Sequence, residues 1–221
     1  MKKLSIIFLI FFSISNLYAN SVEEDILEAT NSMKKLILGK NIIPKKIIQK
    51  SKAIVIIPSS WKIGFLIAGK YGEGIASIKK EDGNWSNPFF VKFGSGSLGF
   101  QFGVESSDII FSFRTDNSVK ELLNQKFILG VGASISVGPT GENIEKNSEI
   151  NMQAEIFSYS QTSGLFAGAS FKGASISNND EKNRALYGNE MNVTKIIQSD
   201  LRIDIYSINQ FNKTITKYTG I

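Results

Sequence analysis

Sixteen of the chain's 19 glycines lie between Gly64 and Gly173, most of them inside stretches that otherwise alternate like strands. Glycine weakens a strand through its backbone entropy and missing side chain, so its repeated use marks bends, bulges or close backbone approach. Small barrels and strongly curved sheets need such points. Ala53 to Ile57 is a continuous apolar run closed by Pro58. Leu98, Phe100, Phe102 and Val104 alternate with Gly99, Gln101 and Gly103, and Ile109, Phe111 and Phe113 continue the pattern after a turn. The cleanest alternation is Phe127, Leu129, Val131, Ala133, Ile135 and Val137, which predicts one strand with one buried face. The glycine- and serine-rich reverse face either receives a closely packed layer or lines a space that an apolar chain can enter. Packing by the N-terminal helices is the favoured reading.

Residues 22–52 carry a helical period instead, with Val22, Ile26, Ala29, Met33, Leu36 and Ile37 on one face. Ser21 is the expected N-cap, with Glu24 at the capping-box position. Gly39 is the expected stop and Pro44 the start of a second short helix through Lys50. Thr115 or Asp116 caps a helix through Asn124, and Asn178 to Tyr187 and Thr194 to Gln198 predict two more. In the last stretch Leu201, Ile205, Ile208 and Phe211 favour a helix capped by Asp200, although Leu201, Ile203 and Ile205 also alternate. The predicted fold class is α+β: a curved, mostly antiparallel β-sheet or barrel-like core with N-terminal helices packed on it.

The N-terminus reads as an export signal. Lys2 and Lys3 precede an apolar stretch, Leu4 to Phe12, and Leu17-Tyr18-Ala19 resembles a cleavage site. The apolar run is shorter than the roughly 20 residues a membrane span needs. The expected organisation is a signal peptide over 1–19, one domain over 20–198 and a C-terminal extension over 199–221. The expected location is periplasmic or secreted, with no lipid-anchored cysteine because the chain holds no Cys.

Composition narrows the chemistry. The chain has neither His nor Cys, which removes Ser-His-Asp and Cys-His catalysis and zinc sites built on those ligands. Gly94-Ser95-Gly96-Ser97-Leu98-Gly99 fits a dinucleotide-binding spacing. A strand-like segment follows it where a helix is required, so it reads as a curved strand. Glu105 and Asp108 are the candidate carboxylate pair, read as solvated acids of a hairpin turn. Asn178 to Glu181 reads as a helix cap rather than a calcium loop. No enzymatic activity, metal or cofactor is expected.

Charge distribution says more than the net charge of +5, which falls to +3 without Lys2 and Lys3. That total is too small to indicate nucleic acid. From Ala29 to Gly72 there is no Asp or Glu, while nine lysines occur. Lysine near an anionic membrane contributes about 1 kcal/mol, and Trp61 and Phe65 beside Lys62 suit a headgroup region. The candidate lipid-binding residues are Lys34, Lys35, Lys45, Lys46, Lys50, Trp61, Lys62 and Phe65. The expected partner is a phospholipid or membrane surface, with a protein partner in envelope assembly as the alternative.

A series of blocks in fixed order resembles the SYLF domain. Ala53-Ile-Val-Ile-Ile-Pro58, Lys62-Ile-Gly-Phe65 and Gly69-Lys-Tyr-Gly72 open it. Asn84-Trp-Ser-Asn-Pro-Phe-Phe-Val91, Gly99-Phe-Gln-Phe-Gly103 and Ser106-Ser-Asp-Ile-Ile110 follow. Leu129-Gly-Val-Gly-Ala-Ser134, Val137-Gly-Pro-Thr-Gly141, Tyr159-Ser160, Gly164-Leu-Phe-Ala-Gly168 and Tyr187-Gly188 complete it, over roughly Val22 to Gln198. The resemblance implies lipid binding, with actin association in yeast relatives that does not carry over to a bacterial envelope protein. It supplies no catalytic motif. The chain departs from anchored bacterial members in lacking a lipobox cysteine, and in its polar extension after Gln198.

Overall fold

The structure, a computed structural model, describes residues 21–38, 43–58, 69–96, 107–140, 153–162, 165–166, 171–199 and 204–220. Helix α1 covers residues 21–38. Val22, Ile26, Ala29, Met33, Leu36 and Ile37 are all buried there, as their spacing predicts. Ser21 is already helical rather than a cap. Pro44 is the N-cap of α2 (Lys45–Gln49), where its fixed φ and missing N–H cost nothing. Then come β1 (Ala53–Ile57), β2 (Gly69–Ile78), β3 (Phe89–Gly96), β4 (Ser107–Phe113) and α3 (Asp116–Leu122). Thr115 caps α3 by accepting from the Ser118 backbone N–H, and Ser118 returns the bond to close a capping box. The chain continues through β5 (Lys126–Ile128), β6 (Ile135–Val137), β7 (Ile156–Thr162), β8 (Leu165–Phe166) and β9 (Ser175–Asn178). It finishes with α4 (Asp180–Tyr187), α5 (Val193–Gln198) and α6 (Tyr206–Thr219). Asn179 and Asn192 cap α4 and α5 by accepting from Lys182 N–H and Lys195 N–H.

All described strands belong to one sheet, ordered β5-β9-β3-β2-β1-β4-β7-β6, with β8 on β7. Among the described strands only β6 and β7 pair in parallel. The sheet must curl. Laid flat at about 4.8 Å per strand, β5 and β4 would lie about 24 Å apart. The rings of Phe127 on β5 and Phe113 on β4 are 6.3 Å apart. Likewise β5 and β6 occupy the two ends of the strand order, about 34 Å apart if flat. Residues 129–134 join them, and seven Cα steps reach at most about 25 Å.

Curling gives the sheet two apolar cores. On β1 the side chains of Ile54 and Ile56 join α1, α2 and α6 on the convex face, with Ile75, Phe90, Ile110 and Phe157. Ala53, Val55 and Ile57 point to the concave side. Phenylalanines fill that side: Phe111 packs 5.7 Å from Phe93 and 5.2 Å from Phe171, edge-on in the second case. Leu122 of α3 and Val193 and Ile196 of α5 complete the concave core. Close approach accounts for two glycines. A Cβ on Gly74 would lie 2.1 Å from the Ile56 carbonyl oxygen, and one on Gly138 would lie 2.1 Å from the Tyr159 ring.

Further expectations are corrected. The last helix begins at Tyr206 with Ile205 as its N-cap, not at a cap on Asp200. The alternation from Phe127 to Val137 is not one strand but two three-residue strands at the two ends of the strand order. Gly130 and Gly132, at φ of 83° and 79°, turn the chain between them. Phe127, Leu129 and Ala133 stay buried, while Val131 is 61% exposed. Asp108 is not a solvated turn residue. It is buried on β4 and accepts from Ser32 Oγ at 2.6 Å, tying α1 to the sheet. Its proposed companion Glu105 lies outside the described residues.

Candidate membrane-facing surface

The helices of the convex layer decide where the lysine block goes. Helix α1 crosses toward the start of β4, where Lys35 Nζ lies 3.9 Å from Asp108 Oδ2. Lys35 is largely exposed, so this contact contributes little, at most about 1 kcal/mol. Lys34 is half-buried on the same helix. Helix α2 sits at the other end of β4. Ser51, just after it, shares a 2.7 Å hydrogen bond with Ser112. Four residues of strand, about 13 Å, therefore separate the two parts of the block. Lys45, Lys46 and Lys50 are exposed on α2. Lys52 is held by Asp116, with Nζ 2.6 Å from both carboxylate oxygens. Trp61, Lys62 and Phe65 lie outside the described residues.

Sequence reasoning missed the other half of the α2 surface. Helix α6 buries Ile208, Phe211 and Ile215 in the convex core with α2's Ile47 and Ile48, and exposes Lys213 and Lys217. Gln49 of α2 lies against Gly220, which ends α6 in the left-handed conformation at φ of 76°. The indole N–H of Trp85 donates to Thr219 Oγ1 at 3.0 Å and fixes the same end of α6. Neither helix carries an acid. Asp204, ahead of α6, is engaged by Asn209 Nδ2 at 3.0 Å. In the turn leading to Trp85, Asp82 accepts from Asn84 N–H at 2.8 Å, and Lys80 is 3.8 Å away. Those contacts hold its carboxyl below the usual value, the Asn84 backbone bond contributing most. The result is an exposed cationic surface of Lys45, Lys46, Lys50, Lys213 and Lys217 on two adjoining helices. A signal was available in the sequence, because no Asp or Glu occurs from Ile205 to Ile221.

Two other charged clusters are structural. Lys182 on α4 donates to Asp25 of α1 and Glu73 of β2 and stands 5.8 Å over the Phe90 ring. Burial alone would lower its pKa; the bonds to Asp25 and Glu73 outweigh burial and hold it above the ordinary lysine value. Glu155 accepts from Asn117 Nδ2, Thr115 Oγ1 and the Ser134 N–H, each at 2.9 Å. These bonds, the one from Asn117 first, lower its pKa. Among the described residues no group of three or more acidic side chains is placed to hold a metal ion. No described helix is long and apolar enough to cross a membrane.

The curled sheet with helices on its convex face is the setting in which the comparisons with known proteins fall. The family described as "Ysc84: Las17-binding protein actin regulator" matches residues 94–218, and the chain belongs to this Ysc84, or SYLF, family. The "SH3 domain-containing YSC84-like protein 1" of Bos taurus is 33% identical over 161 residues, covering 72% of this chain and 47% of the relative. "LAS seventeen-binding protein 3" of Saccharomyces cerevisiae is 32% identical over 164 residues, covering 73% of this chain and 36% of the relative. The chain spans about half or less of the length of these relatives. The family description and the name of the yeast relative are those of binding proteins.

Proposed function

We propose that the chain is a lipid-binding module whose α2–α6 surface docks on an anionic membrane, without chemistry of its own. The observation that carries this reading is that two adjoining acid-free helices expose Lys45, Lys46 and Lys50 on one and Lys213 and Lys217 on the other. At about 1 kcal/mol per lysine within a Debye length of an anionic surface, five of them supply reversible, salt-sensitive docking. Phenylalanines occupying the concave side favour surface docking over an enclosed lipid. The export signal expected from Lys2, Lys3 and the apolar stretch Leu4 to Phe12 supports assigning this activity to the bacterial envelope, facing the periplasm or beyond.

Co-sedimentation of the purified protein with vesicles tests it. Vesicles with about one-third phosphatidylglycerol should pellet the protein, and pure phosphatidylcholine should pellet much less. Lys45→Glu with Lys46→Glu should weaken binding at least about tenfold and leave the thermal midpoint unchanged. Equal pelleting with both vesicles, or none with either, contradicts the reading. The relatives' names favour a second reading, a module that binds a protein. Recovery of a stable partner from envelope extracts, unaffected by Lys45→Glu with Lys46→Glu, would support it over lipid docking.

A further inference from the structure

Three of the five large hydrophobic side chains exposed among the described residues fall within nine positions: Leu123 at 42%, Ile128 at 41% and Val131 at 61%. They share one place in the fold. Leu123 ends α3, which packs on β5; Ile128 is the last residue of β5; Val131 donates its N–H to the Ile128 carbonyl at 3.0 Å. The strand end explains their exposure. Phe127 and Leu129 take the concave side, so Ile128 between them must face outward. Positive φ at Gly130 and Gly132 then lifts Val131 out of the sheet.

The rim around these residues is cationic. Lys120 on α3, Lys126 on β5 and Lys172, just before β9, are exposed, and no carboxylate among the described residues pairs with them. Lys172 runs its alkyl stem over the turn: its Cγ would lie 2.7 Å from a Cβ on Gly130. That is the disposition of a side chain that covers apolar surface and carries its amine beyond it. Two acids among the described residues are near, and both are engaged: Glu121, whose carboxylate lies against Gly132, accepts from Asn124 Nδ2 at 3.1 Å, and Glu155 accepts from the Ser134 N–H and from Asn117 Nδ2, which also donates to the Gly132 carbonyl.

We infer that this strand-end tip, Leu123, Ile128 and Val131 ringed by Lys120, Lys126 and Lys172, is a second lipid contact that inserts aliphatic side chains into an anionic bilayer. The composition selects the occupant. Protein interfaces concentrate binding in Trp, Tyr and Arg and are depleted in lysine. A bilayer surface accepts aliphatic tips below the headgroups and lysine amines among them. The tip is built from α3, β5 and the turn after it, none of which contributes a residue to the α2–α6 surface. Burying three aliphatic side chains adds a component that salt does not screen.

The absence of cysteine from the chain permits a single-site test. Val131→Cys carrying an environment-sensitive nitrobenzoxadiazole label should brighten severalfold on phosphatidylglycerol-containing vesicles. Nitroxide-labelled lipid should then quench it. The same label at Glu190→Cys, on an exposed turn, should respond little. Val131→Asp should weaken vesicle binding about tenfold with an unchanged thermal midpoint. A silent Val131 label on protein that pellets with vesicles, or protein that never pellets, overturns the inference. Loss of binding in Lys45→Glu with Lys46→Glu but not in Val131→Asp leaves the helix surface standing and removes the tip; the converse keeps the tip and removes the helix surface.

Discussion

Strands β1 and β5 belong to the same sheet, yet their sequences obey different rules. In β1 all five side chains are buried, because helices cover one face and the phenylalanine core covers the other. Its sequence is accordingly an unbroken apolar run. In β5 only Phe127 is buried, and Lys126 and Ile128 face outward. The comparison shows that covering both faces of the sheet centre leaves no room there for polar function. Exposed charged side chains are left to the outer side of the helical layer and to the outer face at the strand end, where the two proposed lipid contacts lie.

Substitutions at the two places should differ accordingly. Phe111→Ala, deep in the concave core, should cost about 3–5 kcal/mol in urea unfolding, because a large cavity opens among packed rings. Gly74→Ala should cost about 2–3 kcal/mol, since the new methyl meets the Ile56 carbonyl rather than a movable side chain. Lys182→Met should cost about 2 kcal/mol by freeing Asp25 and Glu73 from a shared charged donor. Because the folded pKa of Lys182 lies above the ordinary 10.5, its contribution is fully present below that pH and fades as pH rises through the folded value. The stability gap between wild type and Lys182→Met should therefore stay constant through neutral pH and narrow in strong alkali. At the strand end, Ile128→Ser should change stability by less than about 0.5 kcal/mol. A cost near that of Phe111→Ala would mean that β5 is covered on both faces after all.

Periodicity made much of this legible. Val22, Ile26, Ala29, Met33, Leu36 and Ile37 mark the buried face of α1, Thr115 or Asp116 announces a capped helix, of which Thr115 is the cap, and Ala53 to Ile57 reads as an apolar strand. The glycine-rich region reads as curvature, which the Phe113–Phe127 contact realises. The alternation from Phe127 to Val137 misleads because a period of two cannot distinguish one long strand from two short ones joined by a turn. Only the positive φ at Gly130 and Gly132 separates them. Asp108 misleads because acids beside two serines match a turn; its Ser32 and Lys35 partners lie 76 and 73 residues away along the chain. The proposed docking surface is only partly legible in the sequence. A local charge count finds Lys45, Lys46 and Lys50, but Lys213 and Lys217 join them through the fold, by way of Gln49 against Gly220 and Trp85 against Thr219.

That long-range pairing is open to direct measurement. Vesicle binding should be recorded for wild type, Lys45→Glu with Lys46→Glu, and Lys213→Glu with Lys217→Glu, at low and at physiological salt. Joint docking by α2 and α6 predicts that the α6 variant loses binding about as strongly as the α2 variant, and that the salt dependence of both flattens relative to wild type. An α6 variant that binds anionic vesicles like wild type, with undiminished salt dependence, would contradict it.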